Sequence, residues 1–220
     1  MGTQGDALPE SLADMAFAAL VRELREAIGT GSIIVHARPR GGKGTQCRIL
    51  AELVGGETTS SGDLFRAAQL NPEAKASLDG GDVVDSRLFA EIVLSQLGGP
   101  EYDGKMLWLD AVGRKHGEET DTMRVMAERG HPVLAVIYIH VTEDETRRRG
   151  HEGGSRGRAD DTPDKHEHRL TEFEEHTIPV IQHYRDLGML IQVKGEQSTE
   201  DVTREIVLEL HYWLTTRKRD

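Results

Sequence analysis

Apolar and polar positions along the chain follow two periods, one typical of helices and one of buried strands. Short apolar runs predict four strands, at residues 32–36, 105–110, 133–141 and 190–193. The segments around them predict helices at 9–28, 43–53, 62–79, 82–97, 118–129, 161–187 and 199–214. Two helices are expected to be broken, the third at Asn71-Pro72 and the sixth near Pro179. The alternation indicates an α/β fold, with a doubly wound parallel sheet and ligands at the carboxyl ends of its strands.

The first predicted helix precedes the first strand and carries apolar residues at helical spacing from Leu12 to Ile28. We therefore expect residues 1–30 to form an N-terminal helical extension. Packing against the core of the domain or against a second subunit is the role that this pattern favours.

Composition narrows the class of protein. The 220 residues suit one domain, and the net charge of −11 disfavours binding to nucleic acid or to an anionic membrane. The longest apolar run, 132–139, is far shorter than the roughly 20 residues that a membrane span requires. The polar residues 1–6 predict no signal peptide. The single cysteine, Cys47, excludes an internal disulfide and suits a cytoplasmic location.

The most informative segment follows the predicted strand 32–36 and consists of Gly42-Lys43-Gly44-Thr45-Gln46. A glycine-rich loop between a strand and a helix directs backbone N–H groups and a helix N-terminus at one point, and both attract phosphate. The lysine can then contact the β- and γ-phosphates of a nucleotide, and the hydroxyl can ligate Mg²⁺. The alternative is a glycine-rich surface turn.

Further segments resemble those of adenylate kinases and related nucleoside monophosphate kinases. They are SGDLFR at 61–66, LDAVGR at 109–114, GRADD at 157–161 and the Arg-Leu pair at 169–170. With the loop at 42–46 they stand in the family's order and cover roughly residues 32–210. The resemblance implies a P-loop three-layer α/β/α fold with a five-stranded parallel sheet. It also implies a kinase domain over 31–220, with a helical monophosphate-binding insertion at about 60–98 and a short lid at about 150–158.

The resemblance implies a donor site for ATP and Mg²⁺. Lys43 would bridge the β- and γ-phosphates, and Asp110 would orient Mg²⁺ through its water ligands, together with the Thr45 hydroxyl. Asp110 has the alternative role of a helix N-cap. The residues that the resemblance assigns to ATP binding are Gly41, Gly42, Lys43, Gly44, Thr45, Gln46 and Gly195.

The resemblance also implies an acceptor site. Ser61, Arg66 and Arg114 would hold the monophosphate, since the guanidinium fork of an arginine fits a phosphate group. The alternative for Arg66 is an ordinary surface arginine on a helix. Glu118 stands where many adenylate kinases have a glutamine that reads the acceptor base. Arg158 and Arg169 match family arginines that contact the transferring phosphoryl group, and Arg149 matches one that lies before the lid. The residues that the resemblance implies to be catalytic are Lys43, Asp110, Arg114, Arg149, Arg158 and Arg169. The lid segment lacks a Cys or His quartet, so no zinc is expected there.

The sequence departs from the family's pattern where the backbone is most constrained. Ala37 and Arg40 replace glycines of the phosphate loop, and Gly113 replaces a proline. A non-glycine residue at position 40 is expected to be strained, by about 1–3 kcal/mol, or else to add charge at the phosphates or to block them. The turn that presents Arg114 is expected to differ from the family's.

These observations together predict a nucleoside monophosphate kinase that transfers the γ-phosphoryl group of MgATP to AMP (ATP + AMP = 2 ADP). One alternative is a nucleotide-binding protein of this fold with weak or no catalysis, and another is a UMP/CMP-type kinase. A P-loop kinase for a non-nucleotide metabolite is disfavoured by residues 61–66. We expect a cytoplasmic monomer or weak homodimer whose partners are nucleotides, not nucleic acids or membranes.

Overall fold

The computed structural model describes residues 12–68, 72–152 and 162–216. Its centre is a five-stranded parallel sheet in the order β2-β3-β1-β4-β5, so the predicted fold class is confirmed. The strands are β1 Ser32–Ala37, β2 Glu57–Ser60, β3 Leu107–Asp110, β4 Val133–His140 and β5 Leu190–Lys194. Because β1 is central, its carboxyl end lies between those of β3 and β4.

Helices cover both faces of this sheet. They are α1 Leu12–Ile28, α2 Lys43–Leu53, α3 Ser61–Ala67, α4 Pro72–Gly80, α5 Ser86–Leu88, α6 Ser95–Leu97, α7 Glu118–Glu128, α8 Glu143–Glu152, α9 Pro163–Glu172, α10 Ile178–Asp186 and α11 Thr199–Thr216. The bounds of α2 match the prediction. The expected break at Asn71 lies outside the described residues.

Strand β2 is the fifth strand that the resemblance implied, but the apolar pattern did not locate it, because its sequence Glu-Thr-Thr-Ser carries no apolar signal. It lies at the edge of the sheet, where it pairs with β3 alone, and only Thr59 of its four residues is buried. Hydrophobic periodicity therefore cannot reveal it, although its β-branched threonines are compatible with a strand.

The two predicted long helices contain π-helical turns. The helix expected from residue 82 begins only at Ser86, where the Asp85 side chain accepts a hydrogen bond from the backbone N–H of Arg87 at 2.9 Å. A π-turn, Phe89–Leu94, follows. The interruption expected near Pro179 is a second π-turn, Phe173–Thr177, directly before α10. A proline in the first turn of α10 needs no backbone N–H, so helical structure resumes there.

The core has two apolar layers, one on each face of the sheet. Alternation along β1 places Ile33 and Val35 in one layer and Ile34 in the other, as the period of a strand requires. Each layer buries side chains from the helices as well as the strands. Both faces are therefore covered, which parallel sheets require.

Helix α1 belongs to this core. Its Val21, Leu24 and Ile28 are buried in the same layer as Leu210 of α11, and the Arg25 guanidinium donates to the carbonyl oxygen of Val54 after α2. For the described part of the N-terminal extension, residues 12–30, packing against the core of the domain is therefore the role that these contacts support.

We predict that Leu24→Ala lowers the free energy of unfolding by about 2–5 kcal/mol, because it removes a fully buried side chain and leaves a cavity. Urea unfolding measures the change. The matched control is Met15→Ala on the same helix, whose side chain is 54% exposed and should matter little. Similar small losses in both variants would show that α1 does not unfold with the rest of the domain.

Candidate functional site

A cleft of about 670 Å³ opens at the carboxyl ends of β1 and β3. Cationic and anionic side chains share its wall. Its cations are Arg40, Lys43, Arg48, Arg66, Arg114 and Arg169, and its carboxylates are Asp63, Asp82, Asp110 and Glu172. Such a lining suits a polyanionic ligand whose charge is spread over several groups.

The loop from β1 to α2 forms one end of the cleft. Gly42 precedes α2 with a φ of 88°, in the left-handed region that glycine adopts without strain. Helix α2 begins at Lys43, so the N–H groups of its first turn point out of the helix towards the cleft. An anion placed there meets both these donors and the positive end of the helix dipole.

Arg40 has the conformation that its place in the loop led us to expect. Its φ is 61°, a strained value for a residue with a side chain. The guanidinium donates a hydrogen bond to the carbonyl oxygen of Arg149 at 3.2 Å. Arg40 therefore links the phosphate loop to α8 while its side chain still lines the cleft.

The Asp110 carboxylate lies directly against the first turn of α2. A β-carbon at residue 44 would come within 2.8 Å of Oδ2 of Asp110, so Gly44 leaves the space that the carboxylate occupies. Thr45, the next residue, also lines the cleft. A hydroxyl and a carboxylate are oxygen donors of the kind that Mg²⁺ prefers.

The turn after Asp110 has an unusual backbone. Ala111 and Gly113 have φ values of 54° and 69°, and the peptide bond before Gly113 is trans. The Ser61 hydroxyl donates to the carbonyl oxygen of Ala111 at 2.8 Å, which joins α3 to this turn. The turn thereby holds Arg114 in the wall of the cleft.

Glu118 supports that turn, a role that its motif did not suggest. Its Oε2 accepts hydrogen bonds from the backbone N–H groups of Arg114 at 2.9 Å and Lys115 at 3.1 Å. Its Oε1 accepts one from the Ser86 hydroxyl at 2.8 Å. Glu118 is buried, so the carboxylate is engaged by the protein and positions Arg114.

The charges of three carboxylates act on the Arg114 guanidinium. Burial lowers the pKa of Arg114, while the charges of Glu118, Asp110 and Glu172 act in the opposite direction. Arginine stays protonated at neutral pH in any protein, so Arg114 presents a half-buried positive charge. Sequence reasoning missed Glu172, which also accepts the backbone N–H of Val83 at 2.8 Å. In the sequence, the only feature that could have indicated Glu172 was its position three residues after Arg169.

Arg66 and Arg169 line the same cleft as Lys43 and Arg114. Arg66 forms an ion pair with Asp63. Arg169 packs across Gly81, where a β-carbon would lie 3.0 Å from Cγ of the arginine. The structure thus brings these four predicted cations to one cavity, from four separate segments of the chain.

The other predicted residues lie elsewhere. Gln46 is buried, and its side-chain amide donates to the Thr199 carbonyl oxygen at 3.0 Å, so it anchors α2 to α11. Arg149 donates to the carbonyl oxygen of Gly195 at 2.8 Å, beside the phosphate loop but outside the cleft wall. Arg158 lies outside the described residues.

Arg38, two residues before Arg40 in the same loop, is not part of the cleft lining. It forms an ion pair with Glu174 at 2.7 Å and donates to the carbonyl oxygen of Val141, also at 2.7 Å. Burial alone would lower the pKa of Arg38, but the hydrogen bond that it donates to Glu174 raises it. Its role is to fix the loop to the π-turn after α9.

His36, the penultimate residue of β1, was not considered from sequence. It is 1% exposed, and burial, followed by the charges of Lys43 and Arg114, lowers its pKa to about 3. In the described part of the chain, its Nε2 has no hydrogen-bond partner. The imidazole is therefore neutral at physiological pH and adds no charge beneath the phosphate loop.

This fold, with a phosphate loop and an arginine-lined cleft, defines a P-loop kinase of the α/β/α class. The sequence model of the adenylate kinase family matches residues 35–189. Adenylate kinases of Kocuria rhizophila and Sinorhizobium medicae are 31% and 33% identical, over 81% and 79% of this chain and 97% and 96% of their own. The adenylate kinase of Prochlorococcus marinus is 32% identical over 76% of this chain and 90% of its own.

The chain belongs to the adenylate kinase family, and is thus an ATP-dependent phosphotransferase of the nucleoside monophosphate kinase class. Across the described ranges, no helix combines the length and the apolar character needed to cross a lipid bilayer.

We predict that Gly44→Ala leaves the protein folded but lowers turnover by about 100-fold, the cost of displacing a catalytic group by about 1 Å. The new methyl group would occupy the place of the Asp110 carboxylate, which can move aside without disturbing the core. Turnover and thermal unfolding are measured together. The control is Gly80→Ala, because a β-carbon at residue 80 meets only Asp82 at 3.8 Å. Equal turnover in the two variants would refute the proposed importance of this contact.

We predict that His36→Leu flattens the dependence of stability on pH. The unfolded chain takes up a proton on His36 below about pH 6.5, whereas the folded protein does so only near pH 3. The stability due to this group is therefore complete above pH 6.5 and is lost as the pH falls. Between about pH 6 and pH 4, the wild type should lose up to about 1.4 kcal/mol per pH unit more than the variant.

Urea unfolding of both proteins across this pH range measures that difference. Other titrating groups are common to the two proteins, so their contributions cancel. Parallel curves would mean that His36 is accessible to protons in the folded state.

Proposed function

We propose that this kinase transfers the γ-phosphoryl group of MgATP to AMP, in the reaction ATP + AMP = 2 ADP. The observation that carries the proposal is the shared cleft, in which the phosphate loop faces Arg66, Arg114 and Arg169. Phosphoryl transfer requires two polyanions to be held in line with their charges neutralised, and little covalent chemistry from the protein.

The donor phosphates bind at the start of α2. Lys43 contacts the β- and γ-phosphates, and the N–H groups of Gly42, Gly44 and Thr45 donate to their oxygens. Thr45 and Asp110 suit Mg²⁺, because both are oxygen donors that line the cleft and the missing side chain of Gly44 leaves room for the carboxylate. When bound, the ion would neutralise charge on the donor phosphates.

The acceptor monophosphate binds across the cleft, between α3 and the turn after β3. Arg66 and Arg114 can each offer a planar fork of N–H donors to phosphate oxygens. The backbone of Arg114 is already held by Glu118, so the turn that carries it does not have to be ordered when the acceptor binds. The Ser61 hydroxyl holds the same turn in place.

The transferring group carries negative charge that peaks in the transition state. Arg169 from α9 is positioned to meet it within the cleft, and Arg158 of the lid is assigned the same task. Arg149 and Gly195 lie together beside the phosphate loop, and we assign them to the nucleoside side of ATP. The lid expected at about residues 150–158 overlaps the end of α8 at Glu152, and residues 153–158 lie outside the described part of the chain.

The choice of AMP as acceptor rests on the names of the three relatives given above, which are adenylate kinases. Glu118 supports this choice only weakly, because its carboxylate oxygens are engaged by Ser86 and by backbone N–H groups. The acceptor-binding part would comprise about residues 60–98. We propose a monomer or weak homodimer, with nucleotides as its binding partners.

A coupled assay of AMP, CMP, UMP, GMP and dTMP with MgATP tests this function. We expect AMP to give the highest kcat/KM, and a higher value for UMP or CMP would replace AMP by that acceptor.

Lys43→Ala should lower turnover by more than about tenfold, since each charge-assisted contact in the transition state contributes several kcal/mol. The control is Lys105→Ala. Lys105 lies just before β3, at the amino ends of the strands and away from the cleft, and it pairs with Glu57. Turnover retained in Lys43→Ala would refute the donor site.

A further inference from the structure

Two histidines and a glutamate meet outside the cleft. Glu119 is in the first turn of α7, His116 lies in the loop before it, and His183 lies on α10. Nδ1 of His116 is 3.5 Å from Oε1 of Glu119, and Nδ1 of His183 is 3.9 Å from the same oxygen. The two imidazole rings are 6.3 Å apart between centroids.

Glu119 has an environment that is unfavourable for a carboxylate on its own. Its side chain is 0% exposed, and among the described residues neither of its oxygens accepts a hydrogen bond. A buried carboxylate is costly unless it is paired with a charge or bound to a metal ion. Among the described residues, the histidines are its only ion-pair partners, at distances longer than a good hydrogen bond.

The 3.5 Å separation is close to that expected across a shared metal ion, and the 3.9 Å separation is about 0.5 Å longer. Two ligands that each lie about 2.1 Å from a tetrahedral ion are about 3.4 Å apart. The ligand atoms of His116, Glu119 and His183 all lie within 4.8 Å of one another. The His116 side chain is 85% exposed, which leaves a path for the ion and a place for water as a fourth ligand.

We propose that His116, Glu119 and His183 bind one Zn²⁺ ion, with water completing the coordination. Imidazole nitrogens with one carboxylate are typical zinc ligands, whereas Mg²⁺ prefers oxygen alone. The ion would join the loop that follows Arg114 to α10, and so stabilise the folded protein by mass action. The site lies apart from the proposed Mg²⁺ ligands and does not depend on the proposed acceptor.

The described residues contain a second group with possible ligands, Glu172, Glu175 and His176. It lies on α9 and the π-turn after it, and Glu172 already accepts the backbone N–H of Val83. This group lacks a fully buried carboxylate without a hydrogen bond, so it provides the matched control.

Calorimetric titration of the chelator-treated full chain with Zn²⁺, in the absence of nucleotide, tests the proposal. The wild type and His176→Ala should each bind one equivalent. Loss of a residue that only supports a metal ligand lowers affinity by about 10- to 100-fold. His183→Ala removes a ligand itself, so its affinity for Zn²⁺ should fall by more than that. Glu119→Gln, which keeps the side-chain volume, should behave in the same way. Co²⁺ should give the visible spectrum of a four-coordinate ion in the wild type only.

The melting temperature supplies an independent measurement. Zn²⁺ should raise it in the wild type and His176→Ala but not in His183→Ala. If Glu119→Gln does not fold, the half-exposed His183 still provides the test. Equal zinc affinity in the wild type and His183→Ala, or loss of binding in His176→Ala alone, would overturn the proposal in favour of simple His–Glu ion pairs.

Discussion

The site depends on one contact, between the carboxylate that ends β3 and the first turn of α2. Parallel pairing sets Val35 of β1 opposite Asp110, so both strands reach the carboxyl edge of the sheet together. Gly44 then leaves the space in which the Asp110 carboxylate touches the start of the helix. A shift of one residue in this register would turn Asp110 to the other face of the sheet.

Positive charge in the cleft is kept in place by a surrounding shell of carboxylates. Glu118 holds the backbone of Arg114, Glu172 lies beside its guanidinium, and Asp63 pairs with Arg66. Without such partners, four neighbouring cations would repel each other in the absence of ligand. His36 would add to that repulsion if it were charged, and its burial keeps it neutral.

Residues that act through local geometry were predictable from the sequence. The phosphate loop, Asp110 at a strand end and the bounds of α2 all follow from short segments whose chemistry and structure coincide. The contacts of Glu118 and Glu172 were not predicted. Glu172 accepts a backbone N–H far away in the sequence, and Glu118 accepts two in a turn that deviates from the family's pattern. Gln46 lies within the loop motif, yet its side-chain amide donates a hydrogen bond to Thr199 of α11, a contact that no local pattern indicates.

Strand β2 has a consequence for how the protein behaves among its own copies. An edge strand exposes unpaired backbone groups that can recruit a strand from another molecule and begin aggregation. Here the edge is only four residues long, polar, and charged at Glu57, which pairs with Lys105 of the neighbouring segment. The same polarity that hides β2 from hydrophobic periodicity thus makes that side of the sheet a poor template for intermolecular pairing.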